Sequence, residues 1–188
     1  MFSPDSKLLA AGSSDGIARP RDPTIGMLKY TLKGHVADTA YPWSVATIGF
    51  SPSCQLLAFG YYDNVIDLWN IATGVLTATL KLHEGVTIGM IKSIAFSSDG
   101  KLLAAGSECK IKLWEIATCT LKHIMRENVI LQSVAFLPDG KLLASGSTED
   151  IKLWDTATGV LKRTVKAADP HCGFDDGFPF LFPILQLN

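Results

Sequence analysis

The sequence predicts an all-β protein made of about four repeated blades, each a small antiparallel sheet of about four strands. One string recurs along the chain, reading FSPDSKLLAAGSSDG from Phe2, FSPSCQLLAFGYYDN from Phe50, FSSDGKLLAAGSECK from Phe96 and FLPDGKLLASGSTED from Phe136. The last three copies run on into DLWNIATGVL, KLWEIATCTL and KLWDTATGVL, so the repeat is 40 to 48 residues long and carries a tryptophan followed by an acid or its amide. A period of that length with that pair marks a blade array.

Within a repeat the residue pattern names the strands. In Lys92-Ser93-Ile94-Ala95-Phe96 and Lys110-Ile111-Lys112-Leu113-Trp114, large apolar side chains alternate with polar or small ones, the period-two mark of a sheet. Leu102 to Ala105 and Leu142 to Ala144 are nearly continuous apolar runs, as expected of strands covered on both faces by neighbouring blades. Asp99-Gly100 and Asp139-Gly140 supply hairpin turn chemistry. Ala-Thr-Gly at 72–74 and 157–159 turns the chain into an outer strand.

These residues resemble the WD-repeat (WD40) β-propeller family. The Gly-His pair that opens such a repeat stands as Gly34-His35, and as Leu82-His83 with the glycine replaced. The strand order of that family implies a degenerate partial first blade over residues 1–34, with strands near 8–14, 17–22 and 28–33. Blade two then covers 35–83, blade three 84–127 and blade four 128–166, with inner strands starting near Val45, Met90 and Leu131 and outer strands near 76–81, 121–126 and 161–166. Residues 167–188, AADPHCGFDDGFPFLFPILQLN, form a divergent tail that resembles no part of a blade. Family propellers close with about seven blades, so the array is expected to be an incomplete propeller: a truncated gene model, a degenerate paralogue, or a half-ring completed by a second chain.

Composition narrows the class. With 188 residues, 47% hydrophobic and 19% charged, the chain is large enough to bury a core in one domain. A net charge of −1, from 17 basic and 18 acidic residues, argues against a nucleic-acid footprint. No apolar run approaches the roughly 18 residues of a membrane span. MFSPDSK at the start has no apolar signal core, so secretion is not expected. Cys54, Cys109, Cys119 and Cys172 follow no metal-binding or disulfide spacing, as expected of reduced thiols in a cytoplasmic protein.

Two departures from the family pattern stand out. Alignment of Asp15 to Asp22 with Asp63 to Asn70 puts Arg21 where Trp69 stands and Pro20 where Leu68 stands. Proline donates no ladder hydrogen bond, so blade one is expected to be weak or unformed. The resemblance also implies a hydrogen-bonded tetrad of His, Ser or Thr, Asp and Trp in each repeat. Repeat two offers His35, Asp63 and Trp69 with Phe59 at the hydroxyl position; repeat three offers His83 and Trp114 with Ala105 there. Repeat four offers Ser145 and Trp154, an acid at Glu149 or Asp150, and Asn128 in place of the histidine.

Recurrence of these residues in every repeat makes them scaffold, not parts of a hydrolytic triad, and no cofactor is expected. His171-Cys172 lacks the two further ligands of a metal site, so no metal is expected. The Gly-x-Ser motifs at Gly12, Gly106 and Gly146 precede turns between strands, unlike phosphate loops that open helices. A metal-dependent propeller enzyme would need inward acids or histidines, and the inner strands IGF, IAF and VAF supply none. Lys110, Lys112 and Lys152 read as solvated strand faces.

Function is then expected in the loops. The stretch from His35 to Phe50 is two residues longer than that from His83 to Phe96 and carries Tyr41, Pro42 and Trp43. On the same side of the blade the turn of repeat two holds Tyr61-Tyr62, where repeats one and four have serine or threonine. Tyr41, Trp43, Tyr61 and Tyr62 are therefore the candidate partner-binding patch, with core packing of Trp43 over blade one as the alternative. The expected function is a non-catalytic scaffold for protein or peptide partners on this loop face, with no nucleic acid or membrane partner and with self-association through open blade edges as a further possibility. The near-identical FSPDGKLLASGS and IKLWDTATG units are most similar to the repeat arrays of fungal NACHT-type receptors, where the propeller is the sensor; adaptor propellers such as those of mitochondrial fission and a remnant without independent function are the alternatives.

Overall fold

The computed structural model describes residues 1–34, 44–82 and 90–166. These form an incomplete, unclosed all-β propeller. Blade one contains two short paired strands, β1 (Ile17–Ala18) and β2 (Leu32–Lys33). Blade two is β3 (Val45–Phe50), β4 (Leu56–Tyr61), β5 (Val65–Asn70) and β6 (Val75–Lys81). Blade three is β7 (Ser93–Phe96), β8 (Leu102–Ser107), β9 (Lys110–Glu115) and β10 (Thr120–Arg126), and blade four is β11 (Leu131–Phe136), β12 (Leu142–Ser147), β13 (Asp150–Asp155) and β14 (Leu161–Lys166). Each of the three four-stranded sheets is an antiparallel meander in chain order.

Register follows the repeat. Leu57 pairs with Trp69, Leu103 with Trp114 and Leu143 with Trp154. Leu9 pairs with Arg21 in the same way, so blade one keeps the alignment its sequence predicts. It is weakly formed, as expected, with two-residue strands and isolated bridges where the other blades have four full strands. Leu9 and Arg21 exchange two backbone hydrogen bonds of 2.8 Å, and the Pro20 carbonyl accepts from Lys29 N at 2.9 Å. Proline's missing N–H shows instead as a thinned ladder to the outer strand, which pairs at Ile17–Ala18 and again only at Arg21–Leu28.

The turns repeat as faithfully as the strands. Between the first two strands of each blade, a backbone bond closes Ser6 to Ser3, Cys54 to Ser51, Gly100 to Ser97 and Gly140 to Leu137. The fourth residue of this turn is left-handed in every copy, with φ of 58° at Ser6, 56° at Cys54, 70° at Gly100 and 68° at Gly140. Glycine adopts that conformation freely, whereas serine and cysteine adopt it at a cost.

Stacking of the blades creates the core. Leu8, Ala10, Ala18 and Leu32 of blade one pack on Leu57, Phe59, Tyr61 and Trp69 of blade two. Ala58, Ile66, Leu68 and Leu80 of blade two meet Ile91, Leu103, Ala105 and Trp114 of blade three. Ala104, Ile111, Leu113 and Met125 of blade three meet Leu131, Val134, Leu143 and Trp154 of blade four. A glycine near the end of each second strand makes room for the next blade: a Cβ on Gly12 would lie 2.4 Å from Val45, on Gly60 2.9 Å from Ile91, and on Gly106 1.9 Å from Leu131. The entering residue is also hydrogen-bonded across the seam, from Val45 N to Ser13 O, Ile91 N to Tyr61 O and Leu131 N to Glu108 O. Strand β7 begins at Ser93 rather than near Met90, although Ile91 makes the same cross-seam bond as Val45 and Leu131.

Candidate functional site

The third strand of blades two, three and four places a charged residue two positions before its tryptophan, on the side facing the preceding blade: Asp67 before Trp69, Lys112 before Trp114, Lys152 before Trp154. Period-two alternation puts both members of each pair on one sheet face. Lys112 and Lys152 are each only 7% exposed, so the expected solvated lysine faces are corrected. The seam that buries their tryptophan neighbours buries them too. Lys112 Nζ donates to the Lys81 carbonyl of blade two at 3.0 Å.

Lys152 lies in a denser network. Its Nζ donates to Glu127 Oε2 at 2.5 Å and to Asn128 Oδ1 at 2.7 Å. The other carboxylate oxygen of Glu127 accepts from the Ser145 hydroxyl. Ser145 Oγ in turn accepts from Trp154 Nε1 at 2.8 Å. The Ser145–Trp154 pairing of the expected tetrad is therefore present, but its acid is neither Glu149 nor Asp150. Asp150 instead accepts from the Ser147 hydroxyl at 3.0 Å in its own turn, and Glu127, arriving from the end of the blade-three outer strand, takes the place beside serine.

Among the described residues, repeats two and three have no serine at the position of Ser145. Phe59 faces Asp67 across the ladder where Ser145 faces Lys152. Trp69 Nε1 is consequently buried with no hydrogen-bond partner. The Asp63 carboxylate accepts from Val65 N at 3.3 Å, a local turn bond. Asp67 accepts from the Thr79 hydroxyl of its own blade at 2.7 Å. In repeat three Ala105 pairs with Lys112, and Trp114 is held by packing against Ala58, Ile66 and Leu68. His35, His83, Tyr41 and Trp43 lie outside the described residues.

The two tyrosines of the blade-two turn part company. Tyr62 is 43% exposed, whereas Tyr61 is 1% exposed and belongs to the core between blades one and two. Successive strand residues face opposite ways, so Tyr61 is removed from the expected surface patch. Its hydroxyl lies where a Cβ on Gly34 would be, 2.0 Å away, which requires glycine at that position. Burial, and after it the Asp67 carboxylate, holds the Tyr61 phenol above its ordinary range. The end of each outer strand does meet the turn between the second and third strands, through Leu82 N to Asn64 O and Glu127 N to Cys109 O. Tyr62 therefore shares a side of the blade with the chain leaving β6.

The opposite side carries the turn acids. A cleft of about 420 Å³ between blades one and two is lined by Asp5, Lys7, Asp22 and Lys29 together with Cys54. Its carboxylates already serve their own turns. Asp5 accepts from the Ser3 hydroxyl and Lys7 N, and Asp22 from the hydroxyl and N–H of Thr24. Those bonds, the hydroxyl first in each case, hold both acids below the ordinary carboxylate value. Among the described residues no group of three His, Cys, Asp or Glu gathers to hold a metal, and there is no helix long and apolar enough to cross a membrane.

Glu127 was missed by sequence reasoning because it falls outside the repeat motif. The burial of Lys152 was signalled by its place two residues from a core tryptophan.

The comparisons with known proteins agree with this architecture. The family model described as "WD domain, G-beta repeat" matches residues 1–19, 26–70, 74–115 and 119–155. Over 127 residues, 61% of this chain, the sequence is 31% identical to a probable cytosolic iron-sulfur protein assembly protein 1 of Candida glabrata, of which it spans 35%. It is 31% identical over 134 residues to periodic tryptophan protein 2 of Arabidopsis thaliana, spanning 14% of that protein. It is 31% identical over 116 residues to a guanine nucleotide-binding protein subunit beta of Oryza sativa subsp. indica, spanning 30% of it. The chain thus covers about a third or less of each of these relatives. Four matches of one repeat model, laid over blades that stack in the same register, make this chain a member of the WD domain, G-beta repeat family.

Proposed function

We propose that the chain is a non-catalytic WD-repeat scaffold that presents a rigid loop face to protein or peptide partners. One observation carries this reading: the recurrent polar residues are consumed in holding the blades together. Ser145 is bonded to Trp154 and Glu127, Lys152 to Glu127 and Asn128, and Asp67 to Thr79. A hydroxyl and acids engaged in this way serve the scaffold, which leaves the variable loops to recognise a partner. Tyr62 is the described member of that surface, and the sequence adds Tyr41 and Trp43. Relatives named as an assembly protein and as a G-protein subunit suit a binding role, as does the cytosolic name of the first. Similarity of the repeat units to fungal NACHT-type receptors further suggests a sensor array.

The test is quantitative capture from a fungal lysate with the wild-type chain and with a Tyr41→Ala/Trp43→Ala/Tyr62→Ala variant of unchanged circular dichroism. A set of proteins held by the first and lost by the second supports the loop face. Equal capture by both contradicts it.

A further inference from the structure

The sheet of a complete blade ends on its outer strand, which pairs on one side only. Lys81 of β6, Lys122 and Arg126 of β10, and Lys162, Arg163 and Lys166 of β14 stand on these edges, and no acid does. Blades two and three are covered on both faces, with Ile66 and Ile111 fully buried, whereas the equivalent Ile151 of blade four is 43% exposed. Their outer edges are the strand surfaces that stay open. Of the two, blade three has the charged edge: β6 has Thr77 where β10 has Lys122, and keeps only Lys81 at its end.

The ladder determines which groups of β10 are free. Glu127 N donates to Cys109 O at 2.8 Å, one step beyond the Arg126–Lys110 pair. Bonded and non-bonded pairs alternate along an antiparallel ladder, so Met125 and His123 spend their N–H and C=O groups on β9, and those of Ile124 and Arg126 point away from the sheet. Side chains alternate too. His123 rests on Gly159 and Met125 lies in the core between blades three and four, so Ile124 and Arg126 occupy the other face. Both are exposed there, Ile124 by 47%. Towards the start of the strand the ladder slips at Lys122, and this bulge ends the regular edge. The open edge is therefore short and has one bonding register, Ile124 and Arg126, with Lys122 beside it.

The charges on this edge select its partner. Among the described residues Lys122 and Arg126 take part in no ion pair, whereas Lys162 of β14 meets Asp155 at 3.5 Å. Another copy of the chain has no acid on β6, β10 or β14 to set across from them, so pairing of these edges between copies would put cation beside cation. We infer that the outer edge of blade three takes an acidic extended peptide of a partner protein as an added strand, with an acid across from Arg126, a β-branched apolar residue across from Ile124 and a second acid reaching Lys122. Backbone bonds to Ile124 and Arg126 hold the peptide, and the two cations choose it. This rim site is separate from the loop face of Tyr62 and does not rest on the function proposed for that face.

The probe is a fluorescein-labelled peptide, Ser-Glu-Thr-Val-Thr-Glu-Ser, followed by fluorescence anisotropy with the full chain. Its sequence reads the same in both directions, so strand polarity does not decide the result. Saturable binding is expected. Methylation of the valine amide nitrogen, which would donate to β10, should weaken it by at least about tenfold, whereas methylation of a threonine nitrogen that points away should change it little. The double variant Lys122→Glu/Arg126→Glu should also lose at least about tenfold in affinity. In the complex, amide exchange at Ile124 and Arg126 should slow, while that at Met125, already bonded to β9, stays as it was. A probe that does not bind overturns the inference. So does binding that ignores valine methylation, since the rim would then attract charge without adding a strand. The methylated peptides leave the protein untouched, so they decide the matter even where the charge-reversed variant fails to fold.

Discussion

Blades two and four are the same sheet with different chemistry at the seam. Both pair a leucine with the strand-end tryptophan in one register, yet Trp154 donates to Ser145 at 2.8 Å while Trp69 Nε1 is buried without a partner. Opposite the hydroxyl position one blade holds Asp67 and the other Lys152, both buried. Blade two fills its seam with Phe59 and Tyr61, and blade four with an ion pair reaching back to Glu127. Geometry is thus common to the repeats, whereas the means of satisfying it is local: burial of large rings in one seam, a charged network in the other. Apolar packing is enough to hold a blade. A buried network adds a demand that every member be present.

That demand gives the largest expected effect. Glu127→Ala leaves Lys152 buried beside only Asn128, and removal of one partner from a buried pair costs about 3–5 kcal/mol. Chemical denaturation should show a loss of that order. Replacing both, with Glu127→Leu and Lys152→Met, should recover most of it, because an apolar seam of similar volume needs no counter-charge. A loss of less than about 1 kcal/mol for the single variant would show that the network is solvated and that the two seams differ little.

A smaller effect separates the two tryptophans. Trp154→Phe removes a buried hydrogen bond and should cost about 1–2 kcal/mol more than Trp69→Phe, which removes an N–H that has no partner. Equal losses in the two variants, measured by denaturant midpoints, would mean that ring volume alone matters. Smaller again, and opposite in sign, is the first turn. Cys54 occupies at φ 56° the position that Gly140 occupies in blade four, so Cys54→Gly should stabilise the chain by about 1 kcal/mol. Gly140→Cys should destabilise it by a similar amount.

The smallest contrast lies in the second turn, where Asn70 and Asp155 are equivalent. Asn70 Oδ1 accepts from Ala72 N and Thr73 N, as Asp155 Oδ1 does from Ala157 N and Thr158 N. Only the aspartate titrates. The Thr158 hydroxyl, and after it the Thr158 N–H, hold its carboxyl below 3.8. A depressed folded value contributes stability that is present above 3.8 and lost as pH falls through the folded value. Amide exchange at Thr158 and Val160 should therefore quicken in acid relative to that at Thr73, and an Asp155→Asn variant should remove the difference.

The sequence made the fold legible because its turns and strands are written redundantly. Asp139-Gly140 and its counterparts set one left-handed turn four times, and the alternation through Ile111, Leu113 and Trp114 fixes which side chains enter a seam. The same redundancy carried blade one through Pro20, whose carbonyl still takes its place in the ladder. Less of the site could be read. Phe59 did predict a tryptophan without its hydroxyl partner, but Glu127 acts from outside the motif, and a contact between neighbouring blades depends on stacking that no single repeat encodes. Tyr61 reads as surface because its counterparts in repeats one and four are small and polar; it is core, with its hydroxyl against Gly34. The recurring glycines at 12, 60 and 106 were the available signal for the seams, since each marks a close approach of the next blade.

The central claim is that one face, repeated in every blade, is buried in the seams and open on blade four. It is tested most directly by placing single cysteines at the equivalent positions Ile66, Ile111 and Ile151, in a chain without its native cysteines, and following their reaction with a thiol reagent under native conditions. The account predicts slow reaction at 66 and 111, limited by opening of the seam, and reaction at 151 near the rate of an exposed thiol. Equal protection at all three positions would contradict it.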